Sequence, residues 1–118
     1  MSDRTYIRVD GVIYTEAKGI VMDELKKASL YAIFSPKNNL EGVTVPDRFL
    51  LNFETDIHAC DEDGWVERAK TAMEKISGFV VPGDEFISSI QVRYSNELEP
   101  YAANDLEFVI RPDGVTES

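Results

Sequence analysis

Cysteine and histidine are almost absent from this 118-residue chain, which has one residue of each, Cys60 and His58. A single cysteine excludes a disulfide within the chain, and the pair leaves too few ligands for a zinc site built from cysteine and histidine. Basic residues are also few, 12 against 22 acidic ones, so the formal net charge is −10. This charge disfavours nucleic-acid binding, because lysine and arginine provide the main contacts to phosphate.

Long apolar runs are absent as well. The longest covers the five residues 30–34, whereas a membrane-spanning helix needs about 20. Residues 1–5 already carry charges, and no apolar segment of a signal peptide follows them. The sequence therefore predicts a soluble protein of the cytoplasm with no membrane partner.

The composition that is present suits a folded domain. Hydrophobic residues make up 43% and charged residues 29% of the chain, as in ordinary globular proteins and unlike disordered ones. A chain of this length buries roughly two thirds of its unfolded surface, which is enough for a core without metal or disulfides. We expect one domain over residues 1–118, with a flexible tail at 112–118 where little can be buried.

Two segments, 16–28 and 62–77, show the spacing of apolar side chains that is typical of helices. The second has the clearer apolar stripe, which includes Trp65, and Asp61 precedes it as a capping residue. The apolar run at 29–35 fits either the end of the first helix or a buried strand. Pro36 ends it in both cases.

Alternating apolar and polar side chains predict strands at 48–60, 86–94 and 105–111. Residues 5–14 alternate more loosely around Asp10-Gly11, which indicates either a small hairpin or one strand with a bulge. Since each strand has one apolar face and each helix one stripe, one sheet layer and one helix layer bury them all. The sequence thus predicts the α+β class, a mostly antiparallel sheet with two helices packed on one face.

Signatures of catalysis are missing, since the chain has no GxSxG, P-loop or GxGxxG pattern. Asp56, His58 and Cys60 share one strand face, with neighbours about 6–7 Å apart. A nucleophilic pair needs hydrogen-bond reach and an orienting third group. We interpret the three as an ordinary polar face, keep a small enzyme as a minor hypothesis, and predict no catalytic, cofactor-binding or metal-binding residue.

The polar face of the predicted sheet is the candidate partner interface. Charges of both signs share it, and exposed strand edges border it, so another subunit could add there. The alternative is a solvated face with ion pairs, each of which contributes little to stability. The candidate interface residues are Glu54, Asp56, Arg93, Glu107 and Arg111.

Acidic residues are concentrated in the second half of the chain. Residues 1–60 hold 9 acidic and 7 basic side chains, a net charge of −2, and residues 61–118 hold 13 and 5, a net charge of −8. Such an excess usually keeps a protein soluble. The alternative is a negative surface that either mimics or repels nucleic-acid phosphate.

The second half also has a distinctive order of predicted elements. A strand at 48–60 is followed by an Asp61-capped helix with an early Trp65, a strand at 86–94, a polar loop and a closing strand at 105–111. This order resembles the tail-terminator and tail-completion proteins of long-tailed bacteriophages. The resemblance covers residues 48–111 and implies a small acidic α+β subunit that forms rings joining the tail tube to the head.

Two hypotheses follow for the function. The first is a non-enzymatic structural subunit of a homo-oligomeric ring, with other virion proteins as partners and incorporation in a virion, as the resemblance implies. The alternative is an acidic inhibitor of the anti-defence, immunity or DNA-mimic type that binds a basic enzyme surface. Such a complex should weaken steeply as the salt concentration rises.

Overall fold

The computed structural model describes residues 4–36, 39–58, 61–96 and 104–118. It confirms the predicted α+β class, with a six-stranded antiparallel sheet and two helices. In chain order the elements are β1 (Arg4–Thr15), α1 (Lys18–Lys27), β2 (Ala32–Ser35), β3 (Asn39–Leu40), β4 (Val43–Thr44), β5 (Asp47–His58), α2 (Glu62–Ile76), a 3-10 turn (Ser77–Phe79), β6 (Ser88–Asn96), β7 (Asn104–Arg111) and β8 (Gly114–Glu117).

The strands of the main sheet lie in the order β2-β5-β1-β6-β7-β8. Each neighbouring pair is antiparallel. Strand β5 lies between β1 and β2, and β1 lies between β5 and β6, so both helical connections skip one strand. This is the split β-α-β arrangement found in ferredoxin-like folds. The β7–β8 hairpin extends it, and β3 and β4 form a separate small ladder.

Three of the predicted strands are confirmed, with ends shifted by one or two residues. The predictions at 48–60, 86–94 and 105–111 correspond to β5, β6 and β7. Residues 59 and 60, at the end of the first prediction, lie outside the described residues. Both predicted helices are also present, and none in the described part of the chain is long and apolar enough to span a membrane.

Both helices supply their apolar stripes to one side of the sheet. Trp65 is buried, as predicted for a core residue of the second helix. Because buried and exposed residues alternate along β5, only one face of the sheet contributes to the core. The core includes Ile7, Val9 and Ile13 of β1, Val21 and Leu25 of α1, Phe49 and Leu51 of β5, Trp65, Ala69, Ala72, Met73 and Ile76 of α2, Ile90 and Val92 of β6, and Phe108 and Ile110 of β7.

Strand β1 is continuous for 12 residues, so the hairpin alternative for residues 5–14 is wrong. It pairs with β5 along its whole length and with β6 from Thr5 to Val12. A side chain at Gly11 would place its Cβ 2.5 Å from the Ser89 carbonyl oxygen and 2.9 Å from the Ile90 Cα. Glycine is therefore present because β6 approaches closely, and not because the chain turns.

Residues 29–35, whose sequence fits both a helix end and a strand, first end helix α1 and then form a strand. Ser29 takes a left-handed conformation with φ of 58°. The Leu30 N–H donates to the Leu25 carbonyl at 2.9 Å, and the Ser29 N–H donates to the Lys26 carbonyl at 3.1 Å. This is a Schellman motif, closed by the two buried leucines. The chain then enters β2, which pairs with β5.

The expectation of a flexible tail at 112–118 is wrong, since residues 114–117 form β8 and pair with β7. Ser118 and Glu107 exchange backbone hydrogen bonds of 2.9 and 3.5 Å. Val115 packs against the core, and Lys70 of α2 forms an ion pair with Glu117 at 3.4 Å. The segment therefore has both a strand partner and apolar surface to bury.

Candidate partner-binding surface

The five predicted interface residues all lie on the face of the sheet opposite the helices, called here the outer face. Glu54 and Asp56 are exposed on β5, Arg93 on β6, and Glu107 and Arg111 on β7. Each alternates with residues that point into the core, as the period of two requires. The described side chains of the outer face are exposed or partly exposed, and Phe86 packs against Tyr14 at one end of it, with ring centroids 5.2 Å apart.

Strand register brings four charges into one line across the sheet. Glu54 lies opposite Arg8, Arg8 lies opposite Arg93, and Arg93 lies opposite Asp105. We call these four residues the charged row. Glu107 belongs to the next row, opposite Gln91 on β6. The predicted residues Glu54, Arg93 and Glu107 thus lie in two neighbouring rows of the sheet. Arg8 on β1 lies between Glu54 on β5 and Arg93 on β6.

The other two predicted residues lie farther from the charged row. Asp56 is opposite Tyr6, one row beyond Glu54 on the same face. Arg111 lies at the other end of β7, where its guanidinium donates to Asp84 at 3.3 Å. Arg111 therefore shares the outer face but not the central cluster.

Carboxylates balance the two arginines of the charged row. Arg8 and Arg93 are directly opposite each other, an arrangement that is unfavourable for like charges. Arg8 Nε lies 3.1 Å from Asp10 Oδ2, and Arg93 donates to the two oxygens of Asp105 at 2.8 and 3.4 Å. The hydrogen bond to Asp105, with its negative charge, raises the pKa of Arg93 above the usual value. Each arginine thereby has a carboxylate partner on an exposed surface.

Two shallow depressions adjoin the charged row. One has a volume of about 510 Å³ and the other about 430 Å³. Both carry positive and negative groups; the walls of the first are mostly polar, unlike those of small-molecule pockets, whereas the walls of the second are mostly apolar. Such a surface suits a protein partner with complementary charges. Asp10, Gln91, Asp105 and Glu107 line the first, Tyr6, Glu54, Asp56 and Ser95 line the second, and Arg8 and Arg93 border both.

An exposed apolar region lies at the β2 side of the sheet. Tyr31, Ile33 and Leu50 keep 65%, 76% and 41% of their surfaces exposed, and we call these three residues the apolar edge. Ile33 and Leu50 are cross-strand neighbours, and the Tyr31 ring packs edge-on against Phe53 at 5.3 Å. A groove of about 420 Å³ separates this edge from α1. Adjacent exposed apolar side chains of this size mark interaction sites.

Sequence reasoning missed several residues of this surface. Arg8 and Asp10 occupy the polar positions of β1, but the Asp10-Gly11 dipeptide suggested a break there. Asp105 immediately precedes the apolar positions of β7 and carries the same alternation signal as Glu107. Ile33 belongs to the ambiguous apolar run, and its exposure follows once that run pairs as a strand with one buried face.

The possible catalytic face on β5 is described only in part. Asp56 and His58 lie on the outer face, whereas Cys60 lies outside the described residues. Within the described ranges, no group of three or more histidine, cysteine, aspartate or glutamate side chains could hold a metal ion. The minor enzyme hypothesis therefore stays a hypothesis.

The acidic residues of the second half do not gather on one surface of the described chain. They occur on α2, on the turn before β6, on the outer face of β7 and on β8. Those on the outer face alternate with Arg8 and Arg93, so this face is mixed in sign. The exposed members are Asp61, Glu67, Glu74, Asp84, Glu85, Asp105, Glu107, Asp113 and Glu117.

Comparisons with known proteins give no relative for this chain. No protein-family model matches the sequence, and neither a curated protein nor a solved structure matches it. The split β-α-β arrangement does not assign a function by itself, because such folds support many unrelated ones. The outer face and the apolar edge are therefore the features of this chain that bear on its function.

Proposed function

We propose that the chain is a non-enzymatic structural subunit that assembles with copies of itself. The resemblance described above makes this assembly a ring of the phage tail-terminator type, incorporated in a virion. The observation that carries the proposal is the apolar edge, where Ile33 and Tyr31 are exposed at the border of the outer face.

Burial of the apolar edge provides the favourable free energy for association. A side chain of the size of isoleucine or leucine contributes about 1.5–3 kcal/mol when it is fully buried. Ile33 and Leu50 are cross-strand neighbours, and Tyr31 lines the same groove as both of them. This arrangement meets the requirement for a compact group of anchors at the centre of an interface.

The net charge acts in the opposite direction. Copies that each carry a net charge of −10 repel one another. At moderate salt, this repulsion is largely screened beyond about 8–10 Å. Self-association should therefore strengthen between low and moderate salt. An acidic inhibitor bound to a basic enzyme should respond in the opposite way, because salt weakens that attraction.

The charge distribution favours the assembly over the inhibitor. A mimic of nucleic acid needs carboxylates gathered on one surface, and here the described ones are spread over several elements. The arginines at the centre of the outer face are each paired with a carboxylate, so this face does not present a uniform negative surface to a basic partner. For these reasons we do not propose the inhibitor as a second function.

The test is the mass of the purified protein, measured by light scattering behind a sizing column at low and moderate salt. The proposal predicts a particle of several times the 13.3 kDa subunit mass, with a larger share of protein in it at moderate salt. A monomer under both conditions and at all concentrations would contradict the proposal, and salt-sensitive capture by a basic enzyme would then support the inhibitor.

A further inference from the structure

We infer that copies join head to tail, with β2 of one copy pairing with β8 of the next so that the main sheet continues between them. This inference rests on the proposed self-assembly and specifies the surfaces that it uses. Among the described residues, β2 and β8 are the two outermost strands, each with a strand partner on one side.

The direction of the strands suits this pairing. The sheet has six strands and every neighbouring pair is antiparallel. With an even number of alternating strands, β2 and β8 run in opposite directions. A rotation about an axis parallel to the strands leaves the strand directions the same in both copies. After such a rotation, β8 of the second copy therefore lies antiparallel to β2 of the first. The alternation of the sheet then continues across the contact.

The backbone of β8 presents hydrogen-bonding groups on its open side. Ser118 and Glu107 exchange hydrogen bonds in both directions, which makes them a hydrogen-bonded pair of the antiparallel ladder. Since such pairs alternate, the N–H and C=O groups of Val115 and Glu117 point away from β7. In the part of the chain that the structure describes, no strand lies on this side of β8.

The two strands match in length and in the direction of their side chains. Each has four residues, and full overlap places Ile33 opposite Thr116 and Phe34 opposite Val115. Phe34 and Val115 both pack against the core on the helix side, and Ile33 and Thr116 are both exposed on the outer face. The pairing therefore aligns the two cores and places Thr116 beside Ile33, the β2 residue of the apolar edge.

Pairing of β2 with itself in a two-fold dimer fits less well. A two-fold axis perpendicular to the sheet would pair β2 of one copy antiparallel with β2 of the other, so the numbers of opposed residues always add to the same value. The side chains of two opposed residues must also point to the same face of the sheet. Full overlap of residues 32–35 would place Ile33 against Phe34, which point to opposite faces. A shift by one residue restores the faces but leaves only three of the four pairs. The head-to-tail contact keeps all four.

Charges near the two strands are complementary. On the β2 side, Lys26 lines the groove beside Ala32, and Lys18 Nζ lies 4.2 Å above the Phe34 ring. On the β8 side, Asp113 and Glu117 are exposed. Full overlap places Glu117 opposite Ala32 and hence near Lys26. Lys18 and Lys26 of one copy therefore lie on the side that meets Asp113 and Glu117 of the next, and Glu117 also pairs with Lys70 of its own copy at 3.4 Å.

Engineered cysteines test the pairing directly. All variants carry Cys60→Ser so that only the introduced thiols react. One sample contains Ile33→Cys and another Thr116→Cys, and the two are oxidised separately and after mixing. Directly opposed strand residues have Cβ atoms about 4.5–5.5 Å apart, close to the distance that a disulfide needs. Ile20→Cys provides the matched control, since Ile20 is an exposed isoleucine on α1.

The inference predicts a disulfide-linked dimer from the mixture of Ile33→Cys and Thr116→Cys, and none from Ile20→Cys mixed with Thr116→Cys. A chain with both Ile33→Cys and Thr116→Cys should give a ladder of linked multimers. Linking of Ile33→Cys with itself, without the mixed product, would overturn the inference in favour of a two-fold dimer. Absence of the mixed product from a protein that still assembles would also overturn it, whereas a monomer by light scattering contradicts the proposed function itself.

Discussion

Ile33 lies directly opposite Leu50 across the β2–β5 ladder, and both side chains stand exposed on the outer face. Their neighbours on the same strands, Phe34 and Phe49, point to the helix side and pack ring to ring at 5.3 Å. One short ladder therefore supplies apolar side chains to both faces of the sheet. The helix layer covers one of these faces, and in our account the adjoining subunit covers the edge of the other.

Gly11 should be sensitive to the smallest substitution. Gly11→Ala places a methyl group against the backbone of β6, and we expect a loss of about 1–3 kcal/mol in the free energy of unfolding. The matched control is Gly19→Ala in α1, where an added Cβ meets nothing within 4 Å. That change should stabilise the protein by about 0.5–1 kcal/mol. Denaturant unfolding of both variants measures the contrast, and equal effects would contradict the close approach of β1 and β6.

Ser29 provides a test of the helix stop before β2. Because Ser29 has a positive φ, Ser29→Gly should raise the free energy of unfolding by about 0.5–1 kcal/mol. Ser29→Val, with a β-branched side chain in the same conformation, should lower it. Thermal or denaturant unfolding distinguishes the two substitutions. A helical continuation through residue 29 would reverse their order, since glycine weakens a helix interior more than valine does.

Truncation after Arg111 should destabilise the protein. The deletion removes the β8 ladder and the packing of Val115 against the core, so we expect a loss of about 1–3 kcal/mol. Asp113→Asn is the control, since Asp113 is exposed in the turn before β8 and the substitution keeps the segment in place. If the truncated chain and the wild type unfolded at the same midpoint, the deleted segment would be a flexible tail and not a strand.

Sequence patterns predicted the parts of the fold that depend on local periodicity. Alternation along β5 assigned Glu54 and Asp56 to the outer face, and the apolar stripe of α2 assigned Trp65 to the core. Each of these elements is long enough for its period to be read without knowing its neighbours. The class of the fold followed from the same signals.

The remaining features depend on contacts between distant parts of the chain. Gly11 looks like a turn residue until Ser89 and Ile90 of β6 lie beside it. Residues 114–117 form a strand only because β7 offers them an edge. The charged row requires the order β5-β1-β6-β7, which places Arg8 between Glu54 and Arg93. No local pattern contains that order.

Two substitutions of exposed isoleucines test whether copies associate through the apolar edge. Ile33→Asp places a charge on the apolar edge, and Ile20→Asp places the same charge on α1, at positions that are 76% and 48% exposed. Sedimentation velocity at moderate salt should show that wild type and Ile20→Asp assemble, whereas Ile33→Asp remains a folded monomer. Assembly of Ile33→Asp to the same size as wild type, or an equal loss in both variants, would contradict the account.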